Sequence, residues 1–116
     1  MTPNVLFVIS GDPRTSARPA EAIRIAVGVA AWKKVNVTIY LRNAAVRSLT
    51  ECPDELVDEY NYVRYLPLLN DAGRPVYVQR GAPALAEVGR APARFEEITD
   101  EQLAGLAAQS TYVLNF

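Results

Sequence analysis

Apolar residues run unbroken through Val5-Leu6-Phe7-Val8-Ile9 and give way to turn formers at Ser10-Gly11-Asp12-Pro13. A continuous run rich in β-branched side chains and closed by a turn predicts a strand buried on both faces. From Pro19 to Trp32 the period changes. Ile23, Ala26, Val27 and Ala30 recur at helical spacing, and Ile25 and Val29 widen the stripe, which predicts a helix with little exposed surface. Lys33 and Lys34 follow near its end, where positive charge complements the helix dipole. Val35-Asn36-Val37-Thr38-Ile39-Tyr40-Leu41 then reads as a second strand. Strand, helix and strand at this spacing predict a parallel βαβ unit.

Cys52-Pro53-Asp54-Glu55 has the form of a helix start, because proline fits the first helical position and acids are favoured in the first turn. Leu56, Val57, Tyr60, Val63 and Leu66 continue its expected apolar face. Pro67 is expected to kink or interrupt this helix, two shorter helices being the alternative. Asn70-Asp71-Ala72-Gly73 supplies a stop, and Pro75-Val76-Tyr77-Val78-Gln79 reads as a third strand. Between Arg80 and Arg94, Gly81, Pro83, Gly89 and Pro92 break the pattern and leave a short helix around Ala84 to Val88 within a loop. Thr99-Asp100-Glu101-Gln102 has the spacing of a capping box, with Ile98 and Leu103 placed as its hydrophobic staple. The helix it starts turns Leu103, Leu106 and Ala107 inward, and Tyr112 to Phe116 forms a last strand. Trp32 is expected in the core or an interface, and Tyr60, Tyr62 and Tyr65 in packing or an oligomer interface, Tyr62 and Tyr65 sharing a side.

The chain of 116 residues is read as one domain, residues 1–116. That length buries about two thirds of the surface exposed by the unfolded chain. An apolar fraction of 50% suits a covered parallel sheet and a protomer that self-associates. A net charge of −1 gives no electrostatic case for nucleic acid. The longest apolar stretch, Ala22 to Trp32, is interrupted by Arg24 and is far shorter than the roughly 20 residues of a membrane span. One cysteine forms no intrachain disulfide, and the N-terminus lacks the pattern of a secretory signal, so a soluble cytoplasmic protein is expected.

With no histidine and only Cys52 as a thiol, histidine-based triads and histidine- or multi-cysteine zinc sites are excluded by composition. No cofactor or metal is expected. Cys52 remains as the one possible thiol nucleophile. Backbone amides at a helix start favour its thiolate, whereas Glu51, Asp54 and Glu55 disfavour it. A second set of residues follows the carboxyl ends of the strands, where parallel α/β sheets bind ligands. Arg14, Arg18, Arg42, Arg47 and Arg80 all lie there. The first of these loops, Ser10-Gly11-Asp12-Pro13-Arg14-Thr15-Ser16, adds hydroxyls ahead of a helix N-terminus. Ser10, Asp12, Arg14, Arg18, Arg42, Gln79, Arg80 and Gly81 are the candidate lining of a pocket for a small anion or nucleotide. The loop is neither a Walker motif nor a GxGxxG fingerprint. Turn residues and arginines paired with acids such as Asp12, Glu51 and Asp54 explain the same pattern without a ligand. Glu96-Glu97 and Asp100-Glu101 are read as helix-start charges on a solvated face.

The order of elements resembles the DsrE-like family, which includes sulfur-relay subunits of the DsrE/DsrF/DsrH and TusB/TusC/TusD type. The resemblance is carried by Val5 to Ser10, the long apolar first helix, Val37 to Val46, Gly73-Arg74-Pro75-Val76-Tyr77-Val78 and Tyr112 to Phe116. It implies a three-layer α/β/α sandwich with a mainly parallel sheet of four to five strands. It also implies association as trimers or hexamers, or with related subunits, and in active carriers a cysteine that bears a persulfide. In carriers of the DsrE and TusD kind that cysteine lies at or just beyond the end of the strand that here runs Val76-Tyr77-Val78. Here Gln79-Arg80-Gly81 stands in its place, and glutamine cannot carry a persulfide. The expectation is a non-catalytic or accessory oligomeric subunit of sulfur-relay-type metabolism. Two alternatives are a sulfurtransferase that carries a persulfide on Cys52 and a small-anion or nucleotide-binding module built on the arginine rim.

Overall fold

The first strand, β1 (Asn4–Ile9), is the unbroken apolar run, and it lies between two parallel neighbours. The computed structural model describes residues 2–71 and 76–116. The chain continues through α1 (Arg18–Ala31), β2 (Asn36–Leu41), α2 (Glu59–Asp71), β3 (Val76–Gln79), β4 (Phe95–Ile98), α3 (Asp100–Gln109) and β5 (Tyr112–Asn115). Short 3-10 turns occupy Asn43–Leu49, Pro53–Glu55 and Pro83–Glu87. The five strands pair in parallel in the order β4-β3-β2-β1-β5. This is the expected α/β sandwich with a parallel sheet.

Strand alternation divides the core. Val5, Phe7, Ile9, Ile39, Leu41, Val76 and Val78 face the layer of α1 and α2. Leu6, Val8, Tyr40 and Ile98 face α3, where Leu103, Leu106 and Ala107 pack as the capping-box register requires. Every strand of a parallel sheet ends on the same side, so the loops after β1, β2, β3 and β4 share one rim.

The capping box is present. The Gln102 amide donates to Thr99 Oγ1 at 3.2 Å, and Gln102 Oε1 accepts from the Thr99 amide at 2.8 Å.

The second helix departs from expectation at its start and at Pro67. The helix start at Cys52 makes only the 3-10 turn Pro53–Glu55, and α2 begins at Glu59, after Asp58 adopts a left-handed φ of 56°. The inward face is Tyr62, Leu66 and Leu69, whereas Tyr60 and Val63 are 63% and 62% exposed. The break at Asp58 resets the helical phase, so the apolar periodicity carried from Leu56 does not continue through it. Pro67 does not end the helix, which runs on through it to Asp71. Pro67 lies on the exposed side, as does Val63, whose carbonyl it leaves without a donor, so that carbonyl is open to water. Of the expected stop Asn70-Asp71-Ala72-Gly73, Ala72 and Gly73 lie outside the described residues, as does the expected strand residue Pro75.

Two more expectations change. Phe95–Ile98 forms strand β4, which sequence periodicity did not predict. Glu96 and Glu97 are therefore strand residues, not charges at a helix start. They are exposed because β4 is an edge strand with a partner on one side only. Of the two places expected for Trp32, the core is ruled out, because Trp32 is 64% exposed with its ring 5.6 Å from the Lys34 ammonium.

Candidate functional site on the strand-end rim

At the end of β1 the loop folds around Asp12. Its carboxylate accepts from the Arg14 amide at 3.0 Å, from Arg14 Nε at 3.3 Å and from Arg14 Nη2 at 3.1 Å. These bonds hold the Asp12 carboxyl below its ordinary pKa and raise that of Arg14. The Ser10 amide donates to the Phe116 carbonyl at 2.9 Å, which closes the end of β5 onto β1. Arg18, at the start of α1, lies 5.9 Å from the Phe116 ring centroid and reaches the Asn115 carbonyl at 3.5 Å.

At the ends of β2 and β3 the geometry is tighter. Gln79 Oε1 accepts from the Asn43 amide at 2.8 Å, and Asn43 has a left-handed φ of 53° that asparagine tolerates. The Arg42 amide donates to the Ile9 carbonyl, and the Arg80 amide to the Ile98 carbonyl, each at 3.0 Å. Gly81, at φ 74°, takes a backbone conformation open to glycine, and its amide reaches Glu97 Oε1 at 3.4 Å. Among the described residues, Arg42 Nε is buried without a partner, and the neighbouring Tyr40 hydroxyl is likewise buried and unpaired, its pKa raised by burial.

Cys52 is exposed, and its amide donates to Thr50 Oγ1 at 3.2 Å. It lines a cavity of about 150 Å³ with Arg14, Arg47, Thr50, Glu55, Leu56 and Glu87. Arg47 binds Glu87 across this cavity at 2.6 Å. The lining therefore balances two arginines against two glutamates, and Asp12, outside the lining, pairs with Arg14.

The sequence-predicted residues thus fall into two groups. Arg14, Arg47 and Cys52 meet at one cavity. Ser10, Asp12, Arg18, Arg42, Gln79, Arg80 and Gly81 lie along the strand ends and do not line it. Glu55 is one of the acids expected beside Cys52, whereas Thr50, Leu56 and Glu87 join the cavity without a sequence signal, because ordinary loop and turn residues carry no motif. Glu87 in particular is brought to Arg47 by packing between two 3-10 turns. Among the described residues, Arg42 and Arg80 make no side-chain ion pair. Among the described residues no group of three acidic, histidine or cysteine side chains converges as a metal would require. No helix among them is long and apolar enough to cross a membrane.

A fully parallel five-stranded sheet with two helices on one face and one on the other defines an α/β sandwich protein. The crystal structure of the ychN protein from E. coli has this fold, with a TM-score of 0.75, 19% identity and 100% of both chains covered. No protein-family model matches the sequence, and no curated protein matches it.

Proposed function

We propose that this chain is a DsrE-like, cytoplasmic, self-associating subunit that serves sulfur-relay-type metabolism in an accessory role and does not itself carry a persulfide. The observation that carries this reading is Gln79. It occupies the strand-end position where the resembling carriers hold their thiol, and its side chain is committed to the Asn43 amide. The whole-length likeness of fold to ychN agrees with the architecture implied by the DsrE-like resemblance. In this reading the rim recognises a partner or orients its reactive group, and the sulfur-bearing thiol belongs to another subunit. Alkylation kinetics near neutral pH test the accessory role. Cys52 is expected to react no faster than the same thiol in the unfolded chain, and a markedly faster reaction would favour sulfur transfer through Cys52.

A second reading is favoured by the buried Arg42 Nε, which has no hydrogen-bond partner among the described residues, and by the exposed Arg80, which makes no ion pair among them. These groups suit a small anion or the phosphate of a nucleotide at the ends of β2 and β3. Calorimetry and ligand-dependent melting with phosphate, sulfate and common nucleotides test it. Absence of any response at millimolar concentration would remove it.

A further inference from the structure

The sheet has two free edges, and they differ in chemistry. The β4 edge carries the exposed carboxylates Glu96 and Glu97. Charges of this kind guard an edge strand against pairing with another chain. The β5 edge has no such guard. Thr111-Tyr112-Val113-Leu114-Asn115-Phe116 contains neither charge nor proline. Tyr112, Val113 and Leu114 are 61%, 40% and 41% exposed. Successive strand residues point to opposite faces, so neither helix layer covers β5. Among the described residues β1 is its one partner, so its outer row of backbone groups is also open.

We propose that β5 pairs with β5 of a second copy of this chain, antiparallel about a two-fold axis at Val113. The inference rests on the self-association proposed above and names the surface that carries it. The sequence is self-complementary in this register. Val113 meets Val113 of the second copy, Tyr112 meets Leu114, and Thr111 meets Asn115, so apolar groups face apolar groups and neutral polar groups face each other. Such cross-strand pairs stabilise sheets, while like charges placed opposite each other destabilise them. Self-pairing of β4 would bring its carboxylates together, which excludes that edge by charge. A four-residue edge buries less than the roughly 1,600 Å² of a standard interface. The β5 pair is therefore the two-fold contact within a larger assembly, and the number of chains in it is even.

A position-specific cross-link tests this. Antiparallel partners directly opposite each other have Cα atoms about 4.5–5.5 Å apart, within the range that a disulfide spans. In a Cys52→Ser background, Val113→Cys is expected to give a covalent dimer rapidly under mild oxidation. Ala104→Cys, at an exposed position on α3, is not. Light scattering of the wild type is expected to give an even number of chains. A wild-type trimer, or an assembly in which Val113→Cys links no faster than Ala104→Cys, would overturn the β5 pairing and leave self-association standing. A wild-type mass of 12.7 kDa at micromolar concentration would overturn self-association itself, and the β5 pairing with it.

Discussion

Gln79 Oε1 accepts a hydrogen bond of 2.8 Å from the backbone amide of Asn43, fastening the end of β3 to the turn that leaves β2. The glutamine side chain thus has structural work at the end of β3. Gln79→Ala removes the acceptor and is expected to cost about 1 kcal/mol in urea denaturation, because water reaches the freed amide and limits the loss. Gln79→Glu retains an acceptor and is expected to keep most of that stability. Equal losses in the two variants would deny the bond its role.

The two sides of α2 are predicted to differ sharply. Leu66 is buried in the core, whereas Val63, three residues earlier, is exposed. Leu66→Ala is expected to destabilise the chain by about 2–5 kcal/mol through lost burial and the cavity left behind. Val63→Ala should change stability by no more than about 0.5 kcal/mol in the separated protomer. Denaturation midpoints of the two variants check the phase of the helix.

Tyr62 provides a pH signature. Burial pushes its phenol up to about 12, and the Ser48 hydroxyl beside it offsets part of that rise, although neither oxygen completes a well-formed hydrogen bond. An unfolded phenol ionises near 10.0. Below that pH both states keep the proton. Above it only the unfolded chain loses the proton, so the stability from neutral Tyr62 is lost as pH rises from about 10 to about 12. The expected loss is about 2–3 kcal/mol. Tyr62→Phe should flatten that part of the stability profile while changing stability at neutral pH by less than about 1 kcal/mol, since the hydroxyl has no partner to lose.

The start of α3 depends on reciprocal bonds between Thr99 and Gln102. Thr99→Ala is expected to cost about 1 kcal/mol, and Thr99→Ser much less, because serine restores the accepting oxygen. Thermal melts of both variants distinguish lost capping from a general effect of substitution.

These residues also show what was legible in the sequence. The β1 run, the α1 stripe and the Thr99 capping box use local signals, a period or a side chain bonded within one turn, and each formed where the pattern placed it. The strand β4 was hidden because Glu96 and Glu97 interrupt its apolar pattern, and its identity comes from register with β3. The face of α2 was misread because the left-handed Asp58 breaks the phase between Leu56 and Leu66. For the rim, parallel strands brought the arginine-bearing loops to one side. The pairing of Arg47 with Glu87 depends on two distant turns meeting, which no local pattern encodes. The place of Cys52, exposed in the same cavity as Arg14 and Arg47, was likewise a property of the folded chain.

The accessory reading is tested most directly by intact-mass measurement of the folded chain after exposure to a polysulfide donor and removal of the excess, with Cys52→Ser measured alongside. The account predicts no added sulfur on the wild type, and the same result for Cys52→Ser. Stoichiometric addition of one sulfur atom to the wild type, reversed by thiol and absent from Cys52→Ser, would contradict it and assign the carrier role to Cys52.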